Sequence, residues 1–329
     1  FSFSSLALGQ TNVFVIFLYF LAIFYLFIQL ERQRKLTWHT MKYVIPFLLL
    51  LFVHVSYPYV NPYGKVTVIN VGQGDSILIE LPYRKAVYLI DTGGTLLFGG
   101  EEDWQQRTNQ FDVGKDVVMP VLKAEGIRKV DKLILTHGDE DHIGGASAIM
   151  NEVKVNEIVY GKSENFDDNE KQLLQEAYEK NIAISFVHEG ISWQKGSYSF
   201  HILGPVGHEQ SKNDRSIILY TQLGNATWLF MGDAEESSEN RFVQNYPGIQ
   251  ADVLKVGHHG SRTSTTVPLL NTVNPKVAII SVGRNNLYGH PHEDVISRLQ
   301  ERGIYVFRTD QDGAVQYRFT NQRGYFLNK

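Results

Sequence analysis

The chain has 329 residues, a formal net charge of −4, 20% charged side chains and no cysteine. Without thiols there can be no disulfide, no thiolate zinc site and no cysteine nucleophile, and the charged content argues against a disordered chain. Residues 1–30 and 43–64 contain no charged side chain at all, which excludes an all-soluble protein.

The mean hydropathy of −0.18 therefore averages a membrane piece with a polar domain. Val13 to Ile28 is an unbroken apolar run. With its flanks it makes a span over about residues 11–30. It is apolar on every face and has no basic segment before it, so it is neither an amphipathic surface helix nor a signal peptide. A second span is expected over about 43–60, with Pro46 near its start and His54 near its far end. Arg32, Arg34, Lys35 and Lys42 make the connecting loop basic. Short basic loops stay in the cytoplasm. The expectation is a multi-pass protein of the cell membrane, with everything after Tyr63 on the outer face. The sequence starts at Phe1 rather than Met, so it is expected to be a piece of a longer chain with further spans ahead of it.

A turn cluster, Asn61-Pro62-Tyr63-Gly64, separates a membrane segment (1–63) from a second domain (64–329). Of the 31 basic and 35 acidic residues, the membrane segment takes four and one, leaving the domain acidic by seven charges. A generic nucleic-acid coat would be basic. If this domain meets nucleic acid, metal ions or a local patch must supply the positive field.

In chain order, strands are expected at Val66–Val71, Ser76–Leu81 and Ala86–Ile90. A helix follows over Lys115–Glu125, with Pro120 in its early turns, then a buried strand at Lys132–Leu135 and an amphipathic helix at Asp168–Lys180. Strands return at Ser197–Leu203, Ser216–Leu223 and Ala226–Phe230. Helix Glu235–Asn245, strand Asp252–Val256, helix Thr266–Val273, strand Lys276–Val282, helix Glu293–Arg302 and strands Ile304–Arg308 and Gly313–Phe319 complete the pattern. Two β-rich stretches, each followed by helices, imply two packed sheets with helices outside.

Histidine and acidic residues gather just after apolar strands, where α/β sites form. His137-Gly138-Asp139-Glu140-Asp141-His142 places four candidate metal ligands within six positions. Phe230-Met231-Gly232-Asp233 runs a strand into a lone Asp, which also reads as a helix N-cap. Lys255-Val256-Gly257-His258-His259-Gly260-Ser261 sets adjacent histidines between glycines. In Gly289-His290-Pro291-His292, His292 also reads as a plain helix-start residue. Zinc and similar ions accept imidazole and carboxylate. A pair of ions needs about six to eight such ligands, and His137, Asp139, Asp141, His142, Asp233, His258 and His259 are about that number.

The His137–His142 loop resembles the metal loop of the metallo-β-lactamase fold, His-x-His-x-Asp-His. With Val71-Gly72-Gln73-Gly74-Asp75-Ser76, Leu89-Ile90-Asp91-Thr92-Gly93, Lys255–Ser261 and Ser281-Val282-Gly283-Arg284, the set is similar to the C-terminal domain of competence DNA-uptake channel proteins of the ComEC type. The resemblance implies an α/β (by some schemes α+β) αββα sandwich after the last two channel helices. His137 and Asp139 would bind one ion, Asp141 and His142 the other, and Asp233 would bridge. His258 aligns with the fold's late histidine, and His259 is its competitor. Asp91, with Asp75, would stand behind the ligands and orient them. Asp141, His259, His290 and Arg284 are the candidate catalytic residues. Two departures stand out. Asp139 replaces a usual histidine, and the mid-chain histidine has no clear counterpart among His201, His208 and Asn213-Asp214-Arg215-Ser216. The ions expected are two divalent metals, Mn²⁺ or Zn²⁺, the added carboxylate favouring Mn²⁺.

The implied activity is a two-metal nuclease or phosphodiesterase acting on DNA, single-stranded DNA above all, with the membrane, further channel helices and the competence machinery as partners. The alternatives are the same chemistry on another ester of the choline phosphate type, or a non-catalytic outer domain of the channel.

Overall fold

The computed structural model describes residues 9, 11, 13–33, 38–94, 111–163, 165–207, 209, 211–284 and 286–327. Arg34 and Lys35 of the basic loop, and His208, lie outside them. The chain divides into two compact units, one of Phe1–Asn61 with Val121–Arg128, the other of Pro62–Pro120 with Lys129–Lys329.

In the first unit, helix α1 (Val13–Gln33) packs against α2 (Trp38–Val60). Tyr25 meets Tyr43 edge-on, and the Tyr19 hydroxyl lies 3.0 Å from His54 Nδ1. That pairing makes the helices antiparallel and ties the polar edge of His54 to a partner. Val13–Arg32 and Lys42–Val60 are long and apolar enough to cross a membrane. Because α2 begins at Trp38, Pro46 lies inside it rather than near its start, and Pro58 lies inside it too.

The second unit is built on two sheets. Among the described residues, the first has eight strands. These are β1 (Gly64–Val68), β2 (Ile77–Glu80), β3 (Val87–Ile90), β5 (Lys132–Leu135), β7 (Glu157–Gly161), β8 (Ala183–Val187), β16 (Val315–Phe319) and β17 (Gly324–Phe326). Their order is β17-β16-β1-β2-β3-β5-β7-β8. The second has seven: β9 (Ser192–Lys195), β10 (Tyr198–Gly204), β11 (Ile218–Leu223), β12 (Ala226–Phe230), β13 (Val253–Lys255), β14 (Val277–Ile280) and β15 (Tyr305–Arg308). They run in simple sequence order, β15 to β9. Short strands β4 (Lys129–Val130) and β6 (Lys154–Val155) pair separately.

Both sheets turn parallel where helices intervene: β3-β5-β7-β8 in the first, β12-β13-β14-β15 in the second. A parallel strand needs a crossover connection, and the crossovers place helices on the outer faces. Helices α7 (Glu236–Asn245), α8 (Val267–Val273) and α9 (Glu293–Glu301) cover the second sheet. Strand β12 shows the layering. Its Trp228 and Phe230 face the core between the sheets, and Leu229 between them faces the helices, as the two-residue period of a strand requires. Helices α5 (Ala146–Glu152) and α6 (Asp168–Glu179) pack on each other, and α6 packs on β8. The αββα arrangement is the one expected.

The predicted Lys115–Glu125 helix forms in two pieces, a π-helical turn over Gly114–Val118 and then α3 (Met119–Ala124). Met119 N–H donates to Gly114 O, five residues back. Pro120 explains the break, since its ring excludes the carbonyl four residues earlier and the ladder widens to accommodate it.

Candidate metal centre

Five loops converge on the site, and each leaves the carboxyl end of a strand. Asp91 follows β3, His137 follows β5, Asp233 follows β12, His258 and His259 follow β13, and Ser281–Arg284 follow β14. Asp91 adopts a left-handed backbone at φ 55° and is fully buried. Its carboxylate accepts from Thr136 N–H and Thr136 Oγ1, both at 2.7 Å, and lies 2.8 Å from His142 Nδ1. A ring whose Nδ1–H is held this way presents Nε2 as a lone pair. His142 Nε2 indeed lies 3.2 Å from Asp233 Oδ1.

His259 is held by the same logic. Its Nδ1 lies 3.0 Å from the Ser281 carbonyl, and its Nε2 lies 3.2 Å from Asp141 Oδ2 and 3.4 Å from Asp233 Oδ2. His137 Nε2 faces Asp139 Oδ2 at 3.5 Å and Asp233 Oδ2 at 3.9 Å. Asp233 is thus the carboxylate that all three rings share. It does not cap the helix, because the N-cap residue of α7 is Glu235.

The two adjacent histidines separate. His258 and His259 both have positive φ, 46° and 52°, a strained geometry typical of functional loops. The turn sends His259 inward, 1% exposed, while His258 stays partly exposed. His258 Nδ1 lies 3.1 Å from Glu235, and its Nε2 is 3.9 Å from Asp233 Oδ2. Ligand atoms of His137, His142 and Asp233 lie within 4.8 Å of one another, as do those of Asp141, His142 and His259. Among the described residues, His259 and not His258 shares clusters of candidate ligand atoms with Asp141, His142 and Asp233.

The donor set fits divalent metals. Nε2 of His137, His142 and His259, and Oδ1 of Asp233, are buried without a hydrogen-bond partner. Buried polar atoms are rarely left so, and imidazole and carboxylate suit zinc or manganese. The electrostatics agree. Burial disfavours the charged forms, but Asp233 and Asp91 outweigh it and raise His142 well above its ordinary value. Burial likewise opposes charge on Asp233, yet His142 and His259 hold it well below the carboxylate range. Asp139 and Asp141 are also lowered against their burial, by His137 with Lys212 and by His259 with His142 respectively.

Two motifs act from behind. Gly74 has φ 114°, and a Cβ there would stand 2.1 Å from the Asp141 carbonyl, so glycine lets the segment close on the metal loop. Asp75 is buried and receives the fully buried Lys255 ammonium at 2.7 Å, while its other oxygen lies 3.7 Å from His259 Nδ1. Thr136 carries no motif of its own. Ser216 Oγ accepts from Asp233 N–H at 2.9 Å and lies 3.4 Å from His137 Nδ1, so a hydroxyl stands beside the first ligands. His201 is exposed on β10 and lines a different cavity.

The ligands open into a cavity of about 330 Å³, with Gln73, Asn169, Lys212, Tyr288 and His290 around it. His290 stacks on Tyr288 and meets His258 edge-on. Burial, then the His258 and His259 rings, lowers His290 to about 4. Arg284 is not among the lining residues. It is exposed and its Nε donates to the Asp310 carbonyl at 2.7 Å. His292 is the N-cap of α9, where its ring accepts from Asp294 N–H.

Comparison with known proteins agrees with this architecture. The chain is 41% identical to ComE operon protein 3 of Bacillus subtilis, over 84% of this chain and 36% of that protein. It is 33% identical to Recombination protein 2 of Haemophilus influenzae, over 84% and 31%. The chain thus spans about a third of the length of these relatives. The crystal structure of CmlA, a diiron β-hydroxylase from Streptomyces venezuelae, shares the fold with a TM-score of 0.50 at 12% identity, over 87% of this chain and 59% of that one. The family model of the metallo-β-lactamase superfamily, a fold that binds divalent metals and often two of them, matches residues 69–284. Strand-end loops that deliver three imidazoles to one shared aspartate are what that match covers, and the chain belongs to the metallo-β-lactamase superfamily.

Proposed function

We propose that the chain is a membrane-anchored two-metal hydrolase that cleaves phosphodiester bonds in DNA during competence DNA uptake. The observation that carries the reading is the set of buried Nε2 atoms of His137, His142 and His259 that face Asp233 without making a hydrogen bond. His137, Asp139 and Asp233 would hold one ion, Asp141, His142 and His259 the other, with Asp233 common to both. When bound, Mn²⁺ or Zn²⁺ supplies a nucleophile at neutral pH and offsets the charge that develops on phosphorus. The protein's part is positioning. Asp91 and the Ser281 carbonyl fix two of the rings, and His290 offers a neutral imidazole N–H at the cavity. An acidic domain tolerates DNA because the metals provide the positive field. The relative named for recombination supports DNA as substrate. Channel helices and competence machinery are the partners this reading implies.

The test uses the full chain in detergent with added Mn²⁺. Single-stranded oligonucleotides should be cleaved, and a chelator should stop cleavage. Turnover of a choline phosphate ester without DNA cleavage would move the substrate to that class. No turnover on DNA or on model diesters would make this a non-catalytic outer domain.

The charge of the basic loop supports an outer-face position for residues 64–329 in this reading. Since the chain has no cysteine, single ones can be introduced. A cysteine at the exposed Lys171 of α6 should react with an impermeant thiol reagent on intact cells, and one at Thr37 should not. The reverse pattern would invert the orientation.

A further inference from the structure

Lys212 is the sole lysine or arginine among the described residues that line the metal-centre cavity, where Asp139, Glu140, Asp141 and Asp233 also stand. Its ammonium lies 3.2 Å from Asp139 Oδ1 and 2.5 Å from Asp167 Oδ2, and its side chain is 37% exposed. The other Asp139 oxygen faces His137. The backbone carrying Lys212 is tied down on its C-terminal side. Arg215 N–H at the next turn donates to Lys212 O, Asp214 accepts from Glu235 and Ser238 N–H at the start of α7, and the Arg215 guanidinium donates to Ser163 Oγ and the Asn165 carbonyl. A lysine on such a turn is placed at the mouth with little freedom to leave it. Its positive charge sits one ligand away from the first metal position, in an otherwise acidic lining. An anionic diester approaching the metals must pass this lining, and a fixed cation offsets its repulsion.

We propose that Lys212 is the residue by which this cavity grips the non-bridging oxygen of a phosphodiester, with Asp139 and Asp167 holding the ammonium ready for it. The assignment rests on the phosphodiesterase reading above. It also relocates the phosphate contact from Arg284, whose guanidinium is directed to Asp310.

The experiment measures steady-state cleavage of a single-stranded oligonucleotide, metal per chain, and the salt dependence of substrate binding, for the full chain and for Lys212→Ala and Lys212→Arg. Wild-type cleavage tests the activity itself, so its absence would sink the earlier reading without bearing on the variants. Given cleavage, Lys212→Ala should raise KM by roughly 10- to 100-fold, the usual range for a lost hydrogen bond to a charged group. Metal content should be unchanged, and the slope of log affinity against log salt should shrink by about one phosphate contact. Lys212→Arg should recover most of the loss. If Lys212→Ala instead loses one metal, or leaves KM and the salt slope unchanged, the lysine is only a counter-ion that orients Asp139, and the proposal fails.

Discussion

Asp233→Ala is expected to abolish hydrolysis and to release both metals, whereas Asp141→Ala should abolish hydrolysis and release one. The difference follows from the shared position of Asp233 between His137, His142 and His259, while Asp141 meets only His259 among them. The loss in rate should exceed the 10- to 100-fold, roughly, that comes from disturbing a group behind a ligand. Metal analysis and kinetics on the same samples decide it. Asp233→Asn is the companion variant, because it keeps volume and one acceptor and so limits damage to a buried site. Full metal occupancy in both Asp233 variants would reduce the carboxylate to a counter-ion for the histidines.

His290→Ala should behave in the opposite way, keeping both metals and the fold while losing roughly 10²–10⁴ in rate, the span for one positioned acid or base. His290 is half-buried at the cavity and braced by Tyr288 and His258, yet shares no cluster of candidate metal ligands among the described residues. Its backbone N–H donates to Asn286 Oδ1 and its carbonyl accepts from Asn286 Nδ2, so the main chain there is fixed without help from the ring. If the ring assists departure of the leaving oxygen, the loss should shrink on a diester of nitrophenolate, which leaves without a proton. An equal loss on both substrates would assign the ring to phosphate binding. Loss of metal would make His290 a ligand.

Much of this was legible in the residues, for physical reasons that differ by region. The parallel strands are buried on both faces, so β3, β5, β12 and β14 read as short apolar runs, and residues of the site follow at their ends. Strand β9, Ser-Trp-Gln-Lys, is mostly exposed and offers no apolar period. Within the site, His258 and His259 could not be told apart, because neighbours on a strand alternate while neighbours on a left-handed turn follow no such rule. Lys212 was invisible as a site residue, since a turn carries no periodicity and its partners lie far along the chain. The ambiguity at Asp233 was real as well, for a residue between a strand and a helix can serve either, and only the placement of Glu235 at the N-cap separates the two.

The centre straddles the seam between the two sheets. His137, Asp141 and His142 come from the first, and Asp233 and His259 from the second. The first sheet is itself finished late, because β1 is bordered by β16 from the far end of the chain. The candidate ligands therefore come together only where the two sheets meet, and neither sheet alone carries a full set.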